Sequence, residues 1–398
     1  MKDVFLKFSL IIILMISVFI LPIFYPTGIA IYFRLFLLLL ILIESLNLFK
    51  IVFIDKKFIH GYEPQSKLWG SYPPLRGIVQ LANSATLRFR NWSLTNKIIT
   101  NAATVLFSIF VIFILLEAVF MFIPRSHFYD QTLASKLWYA KYYKPINSLD
   151  FRDNEPAGIN HLILFVGDSF TAGSGLKSVN DRFSDIVGKE LNKTNKKYTI
   201  INIGKPSADS LGEYNLMKHF IYMTKIKPEK IFLQYFGNDI EYVAAENGMK
   251  FGGFKTYAEV SKFLIPAVAG SYLINYIYWL LPREYIGESY ITFLAKAYKN
   301  DNILSKHKDE LRLFVDYARE NSIQLTVVIF PFLTDTAMSD SMYVNDIVNF
   351  FKASNVSTIN VSQLVRDIPV TERIVNKNDA HPSKEVNRMV AREILKIM

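Results

Sequence analysis

The sequence predicts an α/β domain on a parallel sheet, preceded by a helical membrane-spanning region. Three observations lead there. From residue 161 onward, short continuous apolar runs alternate with amphipathic stretches, the mark of strands buried on both faces between helices. The first 124 residues hold three long, nearly uncharged segments. Hydrophobic residues make up 51% and charged residues only 20% of the 398, where soluble domains average about a quarter charged. At roughly 100–200 residues per domain the chain has room for two or three domains. The absence of cysteine removes disulfides, thiol nucleophiles and thiolate metal sites.

Taking the elements in order, Lys7 and Arg34 bracket 26 uncharged residues. A span needs about 20, and a signal-peptide core has only about 7–15. The second segment, 29–54, holds the apolar run 35–43 but carries Arg34, Glu44 and Lys50. Its alternative is an interfacial position, which leaves two spans. The third, 98–123, has 19 uncharged residues before Glu117 and stops at Pro124. Between the last two lies a loop with Lys56, Lys57, Lys67, Arg76, Arg88, Arg90 and Lys97 against Asp55 and Glu63. Short basic loops stay in the cytoplasm, and Lys2 and Lys7 place the N-terminus there too. Three spans then carry everything after Pro124 out of the cytoplasm. The expectation is a multi-pass integral membrane protein, with the bilayer as partner and an extracytoplasmic C-terminal domain. The net charge of +10 is thereby explained as topology. The basic loop carries no nucleic-acid motif, so no nucleic-acid partner is expected.

Residues 125–160 are mixed and turn-rich and read as a tether, leaving 161–398 as the domain proper. Strands are expected at Leu162–Val166, 199–203, 231–236, 325–330 and 358–361, and helices at 181–192, 210–224, 302–321, 341–354 and 383–397. The 240–300 insertion contains 19 uncharged residues, 263–281. Pro266, Gly270, Ser271, Asn275 and the aromatics Tyr272, Tyr276, Tyr278 and Trp279 within them suit a buried helix or an interfacial lid better than a fourth span.

Ligands of such sheets bind at the C-terminal strand ends. The first strand ends in Gly167-Asp168-Ser169, which projects a hydroxyl at a strand-to-helix turn whose N–H groups suit an oxyanion; a Ser that merely caps a helix is the plainer alternative. The second ends at Gly204, where backbone approaches a ligand closely or simply turns. The third ends in Gly237-Asn238-Asp239, with Asn238 either aimed at the same rim or capping a turn. Near the C-terminus stands Asn378-Asp379-Ala380-His381-Pro382, a histidine with an acid close enough to orient its ring, or a surface loop. In the turn after the first strand no lysine directly follows Gly173 or Gly175 as a P-loop requires, and Ser178 stands where a dinucleotide fingerprint wants glycine or alanine. His60, His127, His161, His219, His307 and His381 include no H-x-x-x-H pair. No cofactor and no metal are expected.

Together, the four blocks resemble the SGNH (GDSL-type) hydrolases, whose motifs centre on Ser, Gly, Asn and His. The resemblance covers residues 161–398 and implies a flavodoxin-like three-layer domain. It implies Ser169 as nucleophile, His381 as general base, and the Ser169 N–H, the Gly204 N–H and the Asn238 side chain as oxyanion hole. The family's usual acid lies three residues before His, where this chain has Asn378. Asp379 lies two before, a spacing similar to that of alginate-acetylation proteins of this fold, so the resemblance implies Asp379 as the acid of a Ser-His-Asp triad, with support from Asn378, or a Ser-His dyad, as the alternatives. The stretch Asn147-Ser148-Leu149-Asp150-Phe151-Arg152-Asp153 resembles the entry to membrane-tethered members associated with surface polysaccharide. The implied activity is a serine esterase acting on O-acyl, in the first place O-acetyl, groups of an extracytoplasmic glycan. Its alternatives are an O-acyltransferase with a membrane acyl-transfer partner, a silent glycan-binding module, and a lysophospholipase or thioesterase.

Overall fold

The five apolar runs form one parallel sheet: β1 (Leu162–Val166), β2 (Thr199–Asn202), β3 (Lys230–Tyr235), β4 (Gln324–Ile329) and β5 (Ser357–Asn360), in the order β2-β1-β3-β4-β5. Every residue of β1 is buried. Its alternate side chains serve opposite faces: Leu162, Leu164 and Val166 enter one apolar cluster, Ile163 and Phe165 the other. The expected strands are present, each within a residue of its predicted place. The computed structural model describes residues 37, 39–41, 43–45, 97–125, 132–156, 160–193, 197–249, 251, 260–281 and 289–398. These fall into two units, Pro124–Glu259 with Leu281–Met398, and Met1–Ile123 with Val260–Leu280.

In the sheet-bearing unit the helices used below are α1 (Leu133–Tyr142), α2 (Ser169–Ala172), α3 (Phe183–Leu191), α4 (Ser210–Thr224), α5 (Asp301–Glu320), α6 (Asn345–Ala353) and α7 (Lys384–Lys396). Met217 and Phe220 of α4, Phe314 of α5 and Phe351 of α6 fill one face of the sheet. Val187 of α3 and Val390 and Ile394 of α7 fill the other. This is the three-layer α/β arrangement. Their starts obey side-chain capping: Asp209 accepts from the Gly212 amide, Asn300 from Asn302 and Ile303, and Ser383 from Val386.

Three expectations need correction. The helix expected at 181–192 begins at Phe183, because Arg182 is extended and its buried side chain reaches into the domain. The helix expected at 341–354 is a short turn, Thr336–Ser339, then a wide π turn, Asp340–Val344, then α6. The 125–160 tether is largely built into the domain: α1 buries Ala134, Ser135 and Leu137, and Asn147, Phe151, Arg152 and Asp153 are buried behind it. A further pair of strands, absent from the sequence reading, runs antiparallel near the C-terminus: β6 (Ile374–Asn376) and β7 (Asp379–Pro382).

In the other unit, a 24-residue helix, Lys97–Phe120, occupies the third predicted span, with side chains described from Leu106. Leu106, Ile109, Ile112, Leu115 and Val119 are exposed along it. Among the described residues no helix is long and apolar enough to cross a membrane. The first predicted span, the basic loop up to Asn96 and most of the second span lie outside the described residues. The 263–281 stretch is two helices, Ile265–Gly270 and Tyr272–Leu280, broken at Ser271. Buried Glu117 explains the break. Its carboxylate accepts from Ser271 Oγ at 2.8 Å and from the Tyr272 and Leu273 amides at 2.7 and 3.1 Å. It thereby caps the second helix across sequence, favourably placed against the positive end of its dipole.

Candidate active site

In the 2-1-3-4-5 order, the switch point of the sheet lies between β1 and β3, and a ligand crevice opens at their C-terminal ends. Ser169 follows β1 and Asn238 follows β3. Asp168 caps α2 by accepting from the Phe170 amide at 2.8 Å. Gln234, reaching across from β3, fastens the same turn. Its Oε1 accepts from the Asp168 and Thr171 amides at 3.1 and 3.2 Å and from the Thr171 hydroxyl at 3.0 Å. Gly167 has no room for a side chain, since a Cβ would strike Gln234 and Thr171. The serine thus sits on a turn secured on the sheet side.

The hairpin β6–β7 supplies the rest. Residues two apart on a strand share a face, so Asp379 and His381 lie side by side. His381 Nδ1 is 2.6 Å from Asp379 Oδ1, which also accepts from the His381 amide at 3.1 Å. His381 Nε2 is 2.9 Å from Ser169 Oγ, across 212 residues of sequence. Phe170 presents its ring edgewise to the imidazole at 5.4 Å. The choice between Asn378 and Asp379 resolves on geometry: Asp379 touches the imidazole, while the Asn378 amide donates to Asn376 Oδ1.

Gly204 donates its N–H to Asn202 Oδ1 at 3.0 Å, which is the acceptor it has in this arrangement. Its lack of a side chain serves close packing, because a Cβ would collide with the α2 backbone at Thr171 and Ala172. Asn202 ties the two strand ends together, donating to Thr171 O and Ser184 Oγ, both at 2.8 Å. Asn238 is half-buried at the end of β3, its Oδ1 without a partner. In the loop after β2, Ser207 holds the left-handed conformation with φ 67°, a strained state for a non-glycine of the kind that gathers at functional sites.

Three buried carboxyl groups, Asp168, Asp239 and Glu213, surround the Ser169 turn. Burial raises the Asp168 carboxyl, against the pull of the Phe170 amide, His381, Gln234 and Asn238. Asp239 is raised well above the carboxylate range by burial and then by Asp168. Glu213 on α4 is likewise raised by burial, then by Asp239 and Asp168. Among the described residues no group of acids and histidines has a metal-holding arrangement.

The residues missed by the sequence reading are fasteners. Gln234 had a signal, a lone polar residue in the buried run of β3. Arg152 was noticed only within the 147–153 stretch, and Arg182 and Asn202 not at all, since the bonds by which they fasten the site reach groups 18 to 31 residues away.

No family model matches the chain, and no curated protein matches it. Among solved structures, TesA is similar at 12% identity over 59% of this chain and 96% of its own, with a TM-score of 0.37. The psychrotrophic esterase EstA from Pseudoalteromonas sp. is similar at 12% identity over 60% and 96%, with a TM-score of 0.36. A variant of Axe2, an acetyl-xylooligosaccharide esterase from Geobacillus Stearmophilus, is similar at 12% identity over 60% and 94%, with a TM-score of 0.38. These likenesses are loose in identity and in superposition alike. The chemistry is carried by this chain's own side chains.

Proposed function

We propose that the chain is a serine ester-processing enzyme of the SGNH type, with Ser169 as nucleophile, His381 as general base and Asp379 as the carboxylate that orients the imidazole. The observation that carries this reading is the continuous contact from Asp379 Oδ1 through the imidazole to Ser169 Oγ, 2.6 and 2.9 Å, within the reach that proton transfer needs. His381 Nε2 removes the Ser169 proton as Oγ attacks an acyl carbonyl. The tetrahedral oxyanion is met by the Ser169 N–H and the Asn238 side-chain amide, each such donor worth roughly 10²–10³ in rate. Collapse expels the alcohol, which leaves with the proton carried by His381. Water then attacks the acyl-enzyme, giving the free acid.

The substrate we assign is an O-acyl, in the first place O-acetyl, ester on an extracytoplasmic glycan. Its support is the resemblance of the sequence blocks, the topology expected from the charge pattern, and the exposed apolar side chains of the Lys97–Phe120 helix. The same acyl-enzyme delivered to a sugar hydroxyl makes the chain an O-acyltransferase.

A fluorophosphonate probe should label the wild-type protein, and Ser169→Ala should lose both labelling and aryl-acetate turnover while retaining its melting temperature. An unlabelled, folded wild-type protein would leave only the silent glycan-binding module. Acyl groups appearing on added oligosaccharide identify transfer, and a preference for long acyl chains identifies a lipase. A C-terminal reporter active only outside the cytoplasm tests the placement; silence of that fusion reverses it.

A further inference from the structure

Behind Ser169 the chain runs through α2 into a loop, 173–176, whose two glycines hold left-handed conformations, Gly173 at φ 69° and Gly175 at φ 80°. Such a loop has little stiffness of its own. Two buried guanidinium groups occupy its back. Arg152 Nη1 donates to Gly173 O and, at 3.3 Å, to Ala172 O; Nη2 donates to Leu176 O at 2.7 Å and to Tyr142 O, at the end of α1, at 2.8 Å. Arg182 donates through Nη1 to the Arg152 carbonyl and pairs through Nη2 and Nε with Asp153 and Asp185. Asp153 in turn accepts from the Asn202 amide at 2.8 Å. Tyr143 lies beneath the Arg152 guanidinium, 4.8 Å from its carbon.

The other side of the loop faces the acid of the triad. A Cβ on Gly175 would stand 2.5 Å from Asp379 Oδ2, so the backbone at Gly175 is a wall against which Asp379 rests. The loop therefore touches both ends of the triad: it continues the helix that begins with Ser169, and it backs the carboxylate that orients His381. The Arg152 guanidinium donates to four backbone carbonyls, and burial and the like charge of Arg182 pull its pKa down to about 10. A buried cation without a carboxylate of its own is costly, and the return here is geometric: one rigid planar fork reaches two carbonyls of the loop, that of Ala172 at the end of α2 and one on α1 at once.

Resting on the triad reading, we propose that Arg152 is a positioning residue which, by clamping the 172–176 backbone from behind, holds Ser169 and Asp379 in register across the site. The segment ahead of β1 is in this way part of the catalytic apparatus. A misplacement of about 1 Å costs up to about 10² in rate, which sets the expected size.

The test compares Arg152→Lys and Arg152→Ala with Ile394→Val, a core change on α7 remote from the site, all in the full-length protein. Arg152→Lys should lower kcat and the fluorophosphonate labelling rate by roughly 10–100-fold with KM within about twofold, while Ile394→Val loses melting temperature and keeps kcat. Added guanidinium should restore part of the labelling of Arg152→Ala, which a purely structural role would not allow. In the wild type, which needs no variant to fold, amide hydrogens of 172–176 should exchange as slowly as those of β1. Folded Arg152 variants that label at the wild-type rate, or fast exchange in 172–176, overturn this proposal and leave the triad standing. A wild-type protein that never labels overturns the triad reading and this proposal with it.

Discussion

The two halves of the site are held in different ways. Ser169 stands on a turn gripped by the body of the domain: Gln234 from β3, Asn202 from β2, and Arg152 from the segment ahead of β1 all bond its backbone neighbours. Asp379 and His381 stand on a two-stranded hairpin at the edge, and their mutual geometry is local, set by strand alternation and by one carboxylate oxygen that takes both the ring and the amide of His381. The Ser169 turn is thus fixed by tertiary bonds, the His381–Asp379 pair by secondary structure. Damage to the first half should spread into stability; damage to the second should remain in the chemistry.

The largest effect expected on that basis is in the hairpin. Asp379→Asn should lower kcat by roughly 10²–10⁴ by upsetting the imidazole's tautomer and orientation, with little change in melting temperature, and Asn378→Ala should leave kcat within about threefold. Steady-state kinetics on the two variants decides between the neighbouring positions, and equal losses would break the comparison. On the other half, Gln234→Ala strands two amides and a hydroxyl in a buried turn, each loss costing about 1–3 kcal/mol. Chemical denaturation should therefore show a drop of that order alongside a fall in kcat; an unchanged midpoint would mean that the turn is not secured from the sheet.

Smaller, and dependent on pH, is the effect of the buried acids beneath that turn. An unfolded glutamate titrates near pH 4.3, while burial, with Asp239 and Asp168, raises Glu213 well above this. The native state then holds a proton that the unfolded chain releases. This contribution to stability is present at low pH and is lost as pH rises above the unfolded value toward the folded one. Glu213→Gln should remove that loss, so its melting temperature should exceed the wild type's by an amount that grows with pH, about 2–4 °C for each kcal/mol recovered. A gap that is constant with pH would contradict the raised carboxyl. Least of all, Ser207→Gly in the loop after β2 should relieve left-handed strain worth about 1 kcal/mol, read as a small rise in denaturation midpoint.

Much of this molecule was legible before any coordinates. The strands were readable because buried parallel strands are unbroken apolar runs, and Ser169, Asn238 and His381 because strand ends and a histidine beside an acid stand out against such runs. At Gly204 the sequence said that space is short, and the structure adds that the short space faces the backbone of α2. The hairpin escaped notice because β6 and β7 are too short and mixed to show a period of two, although the spacing of Asp379 and His381 is that of a strand face.

Sequence alone therefore determined the strand set, the positions of the chemistry-bearing residues and the long apolar stretches, because each depends on a local pattern of apolar and polar side chains. Only the tertiary structure decided that Asp379 rather than Asn378 meets the His381 imidazole, that the Gly204 amide bonds Asn202, and that Arg152 and Gln234 hold the Ser169 turn. The first two are local contacts that need the folded backbone to bring the groups face to face; the last depends on hydrogen bonds between groups 20 to 66 residues apart, which leave no periodic trace in the chain.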